Sequence, residues 1–186
     1  MNSPSLREKG FLSAFLQSVR IKQAAEHISG TKIIDIGGRD GRLSEILKGK
    51  QYTVIDIAPE ALAKPGLKYI RMSVYDESIV KLGKFDCATL IAVIEHLEFP
   101  DKAIGNIGKI LNKGGRLVIT TPSKTGDRIH KILSEIGIAS KDASEDHQKI
   151  FTLPELKWII EKNGFNVIIS RQFFAGLNQI VVAEKN

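Results

Sequence analysis

Apolar residues along this chain recur at two different spacings. Over residues 5–28, Phe11, Leu12, Phe15, Leu16 and Val19 return every three to four positions, which predicts an amphipathic helix ended by Gly30. Short β-branched runs follow, and Lys32–Ile36, Tyr52–Ile55, Leu67–Met72, Phe85–Ile91 and Arg116–Thr121 predict five strands. The stretches 41–48, 76–81 and 101–112 between them read as helices. Gly114-Gly115 is a turn signal before the fifth strand, and Thr121-Pro122-Ser123 closes it. Such alternation predicts parallel strands joined by helical crossovers on both faces of one sheet.

The rhythm changes after residue 123. The polar stretch 123–149 holds one expected helix at 127–137. A further helix opens at Thr152, with Pro154 in its first turn and Glu155 three residues on, the pattern of a capping box. Phe165–Ser170 and Gln179–Ala183 complete seven strands, joined by a loop containing Gly176.

Composition narrows the setting. The chain has 186 residues, 42% hydrophobic and 26% charged, a globular balance for a single domain. Its one cysteine, Cys87, sits in an apolar run and reads as a buried thiol, so no internal disulfide is expected. Residues 11–16 are apolar, but Arg20 and Lys22 interrupt soon after; neither a signal peptide nor a membrane span is expected, and the location is expected to be cytoplasmic. The net charge of +6 is dispersed, and reads as a solvated basic surface ahead of a nucleic-acid footprint.

The chemistry concentrates in residues 32–41. A strand ends at Asp35, turns through Gly37, Gly38 and Gly41, and enters an amphipathic segment, an arrangement that lets backbone approach a nucleotide-type ligand. Nineteen residues after Gly37, the second strand closes on Asp56, a carboxylate suited to both hydroxyls of a ribose. A dinucleotide fingerprint beginning at Gly37 would need glycine at 39 and 42, where arginines stand, and no Walker sequence occurs. An adenosine-containing cofactor without a pyrophosphate is therefore expected.

Several segments together resemble the class I S-adenosylmethionine-dependent methyltransferases, in their ubiquinone-methyltransferase-like branch. They are Asp35 to Gly41, Asp56, Phe85-Asp86, Val93-Ile94-Glu95-His96-Leu97, Leu111 to Ile119, and the stretch from His147 to Asn163-Gly164-Phe165. The resemblance implies a Rossmann-like, doubly wound, three-layer αβα fold, with sheet order 3-2-1-4-5-7-6 and strand 7 antiparallel. It implies one methyltransferase domain: residues 1–29 as a helical cover, 30–123 as the cofactor-binding half, and 124–186 as the acceptor side with a C-terminal hairpin. S-adenosylmethionine is the implied cofactor. Asp35 would hold its ammonium, directly or through water, or fix the turn by accepting loop amides. Gly37, Gly38, Arg39 and Gly41 would form the loop, Asp56 would take the ribose, Ile57 would pack on adenine, Ser73 with Val74, or alternatively Asp76, would meet the adenine amino group, and Ile91 would lend backbone to the methionine end. Arg39 stands where the family usually has glycine. Either the loop turns one residue early with Arg39 reaching outward, or Arg39 disfavours the cofactor.

On the acceptor side the resemblance nominates Glu95, His96 and His147 for acid/base work or acceptor positioning. Metal-using relatives carry Glu-x-x-Glu-His plus a later histidine; Ala92 replaces the first glutamate, so no metal is assigned, with Glu95, His96 and His147 as the three-ligand alternative. Lys124, Asp127 and Arg128 read as a solvated loop or as contacts to an anionic acceptor. His27 and His130 read as surface or interface residues, and Trp158 as core or rim packing. The expected reaction is methyl transfer by in-line displacement to a small-molecule or lipid-like acceptor. The alternatives are a catalytically silent partner or cofactor-sensing subunit, motivated by Arg39, Ser73 and Ala92, and an RNA-modifying methyltransferase, motivated by charge. Residues 123–149 and the first helix are expected to cover the acceptor cleft, and the oligomeric state is left open.

Overall fold

The computed structural model describes residues 6–58, 64–135 and 148–186. Its seven strands are β1 (Lys32–Ile36), β2 (Gln51–Asp56), β3 (Lys68–Arg71), β4 (Phe85–Ile91), β5 (Leu111–Pro122), β6 (Phe165–Phe173) and β7 (Asn178–Lys185). They form one sheet in the order β3-β2-β1-β4-β5-β7-β6. The first five strands pair in parallel, whereas β7 runs antiparallel to both β5 and β6. This is the expected seven-stranded α/β Rossmann-like topology.

Side-chain alternation on the central strands divides the core in two. Ile34, Ile36, Ala88, Leu90, Leu117 and Ile119 face helices α2 (Pro100–Ile110) and α4 (Leu153–Lys162), meeting Ile104, Ile107, Leu156 and Ile160. Ile33, Val54, Cys87 and Val118 face the other way, against Ile21 and Ala24 of α1 (Leu6–Ala25). Each such fully buried aliphatic side chain contributes roughly 1.5–3 kcal/mol over an exposed one. Parallel strands covered on both faces lack polar alternation, which is why β1 and β2 read as apolar runs. Helix α3 (Lys124–Glu135) follows β5 directly.

Several boundaries differ from the sequence reading. The expected helices at 41–48 and 76–81 are 3-10 turns, Arg42–Glu45 and Glu77–Leu82. Asp76 caps the second, accepting from the Ser78 amide at 2.8 Å. β5 starts at Leu111, five residues early, because Leu111 pairs with Phe85 before a register break and pairing resumes from Arg116 with Cys87. α3 (Lys124–Glu135) begins three residues ahead of the expected 127–137, of which 136–137 lie outside the described residues. The capping box at α4 is present as read: the Thr152 amide donates to Glu155 Oε2 at 2.8 Å, and the Glu155 amide donates to the Thr152 hydroxyl. Trp158 is a correction. It points outward, 63% exposed, with the Lys162 ammonium 4.1 Å from its ring centre, because the core-facing stripe of α4 is Leu156, Ile159 and Ile160. Among the described residues, no helix is long and apolar enough to cross a membrane.

Candidate active site

At the carboxyl end of β1, the Gly37 amide donates to the Ile55 carbonyl at 2.8 Å and ties the glycine loop to β2. The loop passes through left-handed backbone at Gly37, Arg39 and Gly41, with φ of 68°, 47° and 69°. Arg39 therefore occupies the conformation that favours glycine, at a cost of roughly 1–2 kcal/mol, while its side chain is exposed. Gly38 is not left-handed, so the turn has not moved one residue early.

Asp56 joins the loop to the end of β2. Its Oδ2 accepts the Arg39 amide at 2.8 Å and its Oδ1 accepts the Ala58 amide at 2.8 Å. Among the described residues these are the two donors to this carboxylate, which has the capacity for more. Ile57, the next residue, is 72% exposed. Ser73 is half-buried and its hydroxyl accepts the Tyr75 amide at 3.2 Å; Val74 packs its side chain into the core, and its carbonyl accepts from Asn106 at 2.9 Å.

Asp35 is buried in a cage of hydroxyl donors. Thr89 Oγ1 donates to Oδ1 at 2.6 Å, and the Tyr52 hydroxyl donates to Oδ2. Burial pushes the Asp35 carboxyl up to about 6, and the two hydroxyls pull the other way.

A cavity of about 590 Å³ opens above the ends of β1 and β4. Asp35, Gly37, Gly38, Arg39 and Ile91 form one wall; Glu95, His96, Pro122 and α3 form another; Phe15, Leu16 and Arg20 of α1 lie across them. Gly41, Asp56, Ile57, Ser73 and Val74 lie outside this wall. Phe15 meets Phe174 of the β6–β7 turn edge-on, ring centres 5.8 Å apart, so the mouth is apolar.

Glu95 is buried, with Thr121 Oγ1 donating to its Oε2 at 3.0 Å. Its backbone carbonyl accepts the amides of Gln148 and Lys149 at 2.9 and 3.2 Å. Burial raises its pKa, and the Arg20 guanidinium and His96 oppose that rise. His96 is exposed at the cavity edge. His147 lies outside the described residues. Among the described residues, no three histidines, cysteines or carboxylates come together as a metal cluster.

Arg20 and His130 are among the lining residues that the sequence reading did not assign to the cavity, and Asp127, read as a solvated loop residue or an acceptor contact, lines it too. Arg20 reaches in from α1, its Nε donating to Asn178 Oδ1 at 2.6 Å, and burial lowers its pKa against the pull of Glu95. The available signal was its spacing: Arg20 falls four residues after Leu16, on the helix stripe that packs inward. Of Lys124, Asp127 and Arg128, only Asp127 lines the cavity; it is buried and pairs with Lys131 at 2.9 Å, while Lys124 and Arg128 are exposed. His130, one turn on and half-buried, lines the cavity as well.

The protein-family comparison matches residues 8–169 to the methyltransferase domain. The chain belongs to the S-adenosylmethionine-dependent methyltransferases. A ubiquinone biosynthesis O-methyltransferase of Xanthomonas oryzae pv. oryzae is 31% identical over 109 residues, 53% of this chain and 46% of the relative. That of Xanthomonas campestris pv. campestris is 31% identical over 123 residues, 59% and 52% of the two chains. The methyltransferase chain thus spans about half the length of the curated relatives it matches. Among solved structures, a possible histamine N-methyltransferase from Thermotoga maritima superposes with a TM-score of 0.71 at 17% identity, covering 93% of this chain and 90% of that one. Magnesium protoporphyrin IX methyltransferase from Synechocystis PCC 6803, crystallised with S-adenosylhomocysteine, superposes at 0.64 with 18% identity, covering 92% and 84%. These two likenesses establish the shared fold.

Proposed function

We propose that this methyltransferase moves a methyl group from S-adenosylmethionine onto a hydroxyl of a small, partly apolar or lipid-like acceptor. The observation that carries the reading is one cavity with two chemically distinct walls. A buried carboxylate and a glycine loop stand on one side, and a buried glutamate beneath an apolar mouth stands on the other.

The donor set fits the zwitterionic tail of the cofactor. Asp35 offers negative charge to the ammonium, and Arg20 offers positive charge to the carboxylate from the opposite element. Asp56 takes the ribose hydroxyls, Ile57 supplies exposed apolar surface for adenine, and Ser73 flanks it. The Ile91 backbone meets the methionine end. When bound, the cofactor supplies an electrophilic methyl group on a sulfonium.

With the methyl already activated, the protein's task is alignment, exclusion of water and removal of one proton. Glu95 accepts the proton of the acceptor hydroxyl. Its burial raises the carboxyl toward the pH at which a general base is efficient, and the Thr121 hydroxyl fixes one oxygen. His96 positions the acceptor from the cavity edge. Phe15, Ile129, Leu133 and Phe174 give apolar lining for the remainder of the acceptor and shield the site from water. The buried Asp127 faces the same space and favours an acceptor with hydrogen-bond donors.

The test combines a binding titration with S-adenosylhomocysteine and incubation with methyl-labelled S-adenosylmethionine and a lipid extract. Micromolar binding and label in an organic-extractable product are expected for the wild type, and Glu95→Gln should keep the binding and lose the labelled product. No binding at millimolar ligand would overturn the enzymatic reading and leave the silent-subunit alternative.

A further inference from the structure

We propose that Tyr52 is a positioning residue for the cofactor, its hydroxyl holding the Asp35 carboxylate ionised and aimed at the ammonium of the methionine tail. This rests on the reading above that Asp35 receives that ammonium.

The register of the sheet makes the contact. Ile33 pairs with Tyr52 on β2 and Asp35 pairs with Thr89 on β4, so all of these side chains share the α1 face of the sheet. That face is apolar through Ile33, Val54 and Cys87, and its polar end is Asp35 with the hydroxyls of Tyr52 and Thr89. A buried phenol needs a partner, and simple satisfaction would be met by any acceptor. Here the partner is a carboxylate that lines the cavity and whose two oxygens each receive one hydroxyl. Burial and the neighbouring carboxylate push the Tyr52 phenol upward, so it stays protonated and acts as a donor. Two donors and no acceptor around a carboxylate favour its charged form.

The remaining charges around Asp35 divide by sign. Asp40 in the loop and Asp56 on β2 disfavour its ionisation. On the cavity side, Arg20 of α1 lies across from Asp35, the loop arginines 39 and 42 line the same cavity, and Glu95 lies beyond β4. Asp35 has its ordinary carboxyl range shifted to about 6 in this setting, which places cofactor affinity at the edge of neutral pH. Removing the phenolic hydroxyl raises that value further, so the acid limit of binding moves up.

The experiment is calorimetric titration between pH 5.5 and 8.5 with two ligands. S-adenosylhomocysteine carries the ammonium, and 5′-methylthioadenosine lacks the amino-acid tail. The wild type is expected to lose S-adenosylhomocysteine affinity below about pH 6. In Tyr52→Phe the midpoint moves to higher pH, with binding at pH 6.5 about tenfold weaker and recovering toward pH 8.5, while methylthioadenosine is unaffected. Thr89→Val is expected to shift the midpoint the same way, which keeps the test available should Tyr52→Phe fold poorly. An unchanged midpoint, or equal weakening of both ligands at every pH, would reduce Tyr52 to a packing residue and overturn the proposal. A wild type that binds methylthioadenosine and S-adenosylhomocysteine equally, with no pH dependence, would remove the role of Asp35 itself. Absence of any binding by the wild type would overturn the methyltransferase reading on which this one depends.

Discussion

Gly38 lies against the side chain of Asp35 so closely that a β-carbon on Gly38 would stand 2.3 Å from Asp35 Oδ2 and 2.8 Å from its Cγ. The glycine is needed for space, since its φ is not in the left-handed region. The carboxylate cannot give way, because Thr89 and Tyr52 hold it from the other side. Gly38→Ala is therefore expected to displace Asp35 or the loop and to weaken S-adenosylhomocysteine binding by roughly tenfold or more. The sheet beneath is unaffected, so circular dichroism should stay native. Wild-type affinity in Gly38→Ala would show that the loop and the carboxylate do not act together.

The alternation of strands and helices was legible because parallel strands covered on both faces must be apolar, and their crossovers must be amphipathic. β1, β2 and β4 appeared close to their observed bounds for that reason. The beginning of β5 was not legible, since Asn112 to Gly115 look like a turn and fall in the register break between Leu111 and Arg116, where Asp86 of the neighbouring β4 accepts the Asn112 side-chain amide at 2.9 Å. At the site, Asp35, Gly38 and Glu95 carried local motif signals. Arg20 and Asp127 did not: each owes its place in the cavity to a helix docking on the sheet, a relation that no short spacing encodes. Tyr52 lay hidden in the same way, because its hydroxyl reaches a residue seventeen positions earlier in the chain.

Arg20 provides a direct test of the cavity's electrostatics. Its Nε is held by Asn178 at 2.6 Å, so the guanidinium is fixed in orientation before any ligand arrives. On the proposed cofactor placement, Arg20→Met removes the charge offered to the carboxylate of the methionine tail. It is expected to weaken S-adenosylhomocysteine binding at least tenfold at neutral pH, with methylthioadenosine unchanged. Arg20→Lys should restore only part of this, because a lysine cannot keep the Asn178 contact and point its ammonium in the same direction. Full retention of affinity in Arg20→Met would reassign this residue to the acceptor or to packing.

The opposite end of the sheet offers a prediction on stability alone. Asp86, at the start of β4, accepts the amides of Thr31 and Lys32 at 2.8 and 2.9 Å and the side-chain amide of Asn112 at 2.9 Å. Those donors hold its carboxyl down at about 2. An unfolded aspartate titrates near ~3.9, so the folded state favours the ionised form. A depressed folded value means that the stabilisation is complete above about pH 4 and is lost as pH falls through about 2. Asp86→Asn keeps the shape but weakens the acceptor and loses the charge. It should unfold at lower urea concentration than wild type at pH 6, and the gap should close steadily between pH 4 and pH 2. Urea melts of both proteins across that window measure it. A gap that stays constant down to pH 2 would mean that the carboxylate's charge contributes nothing to the join between β1, β4 and β5.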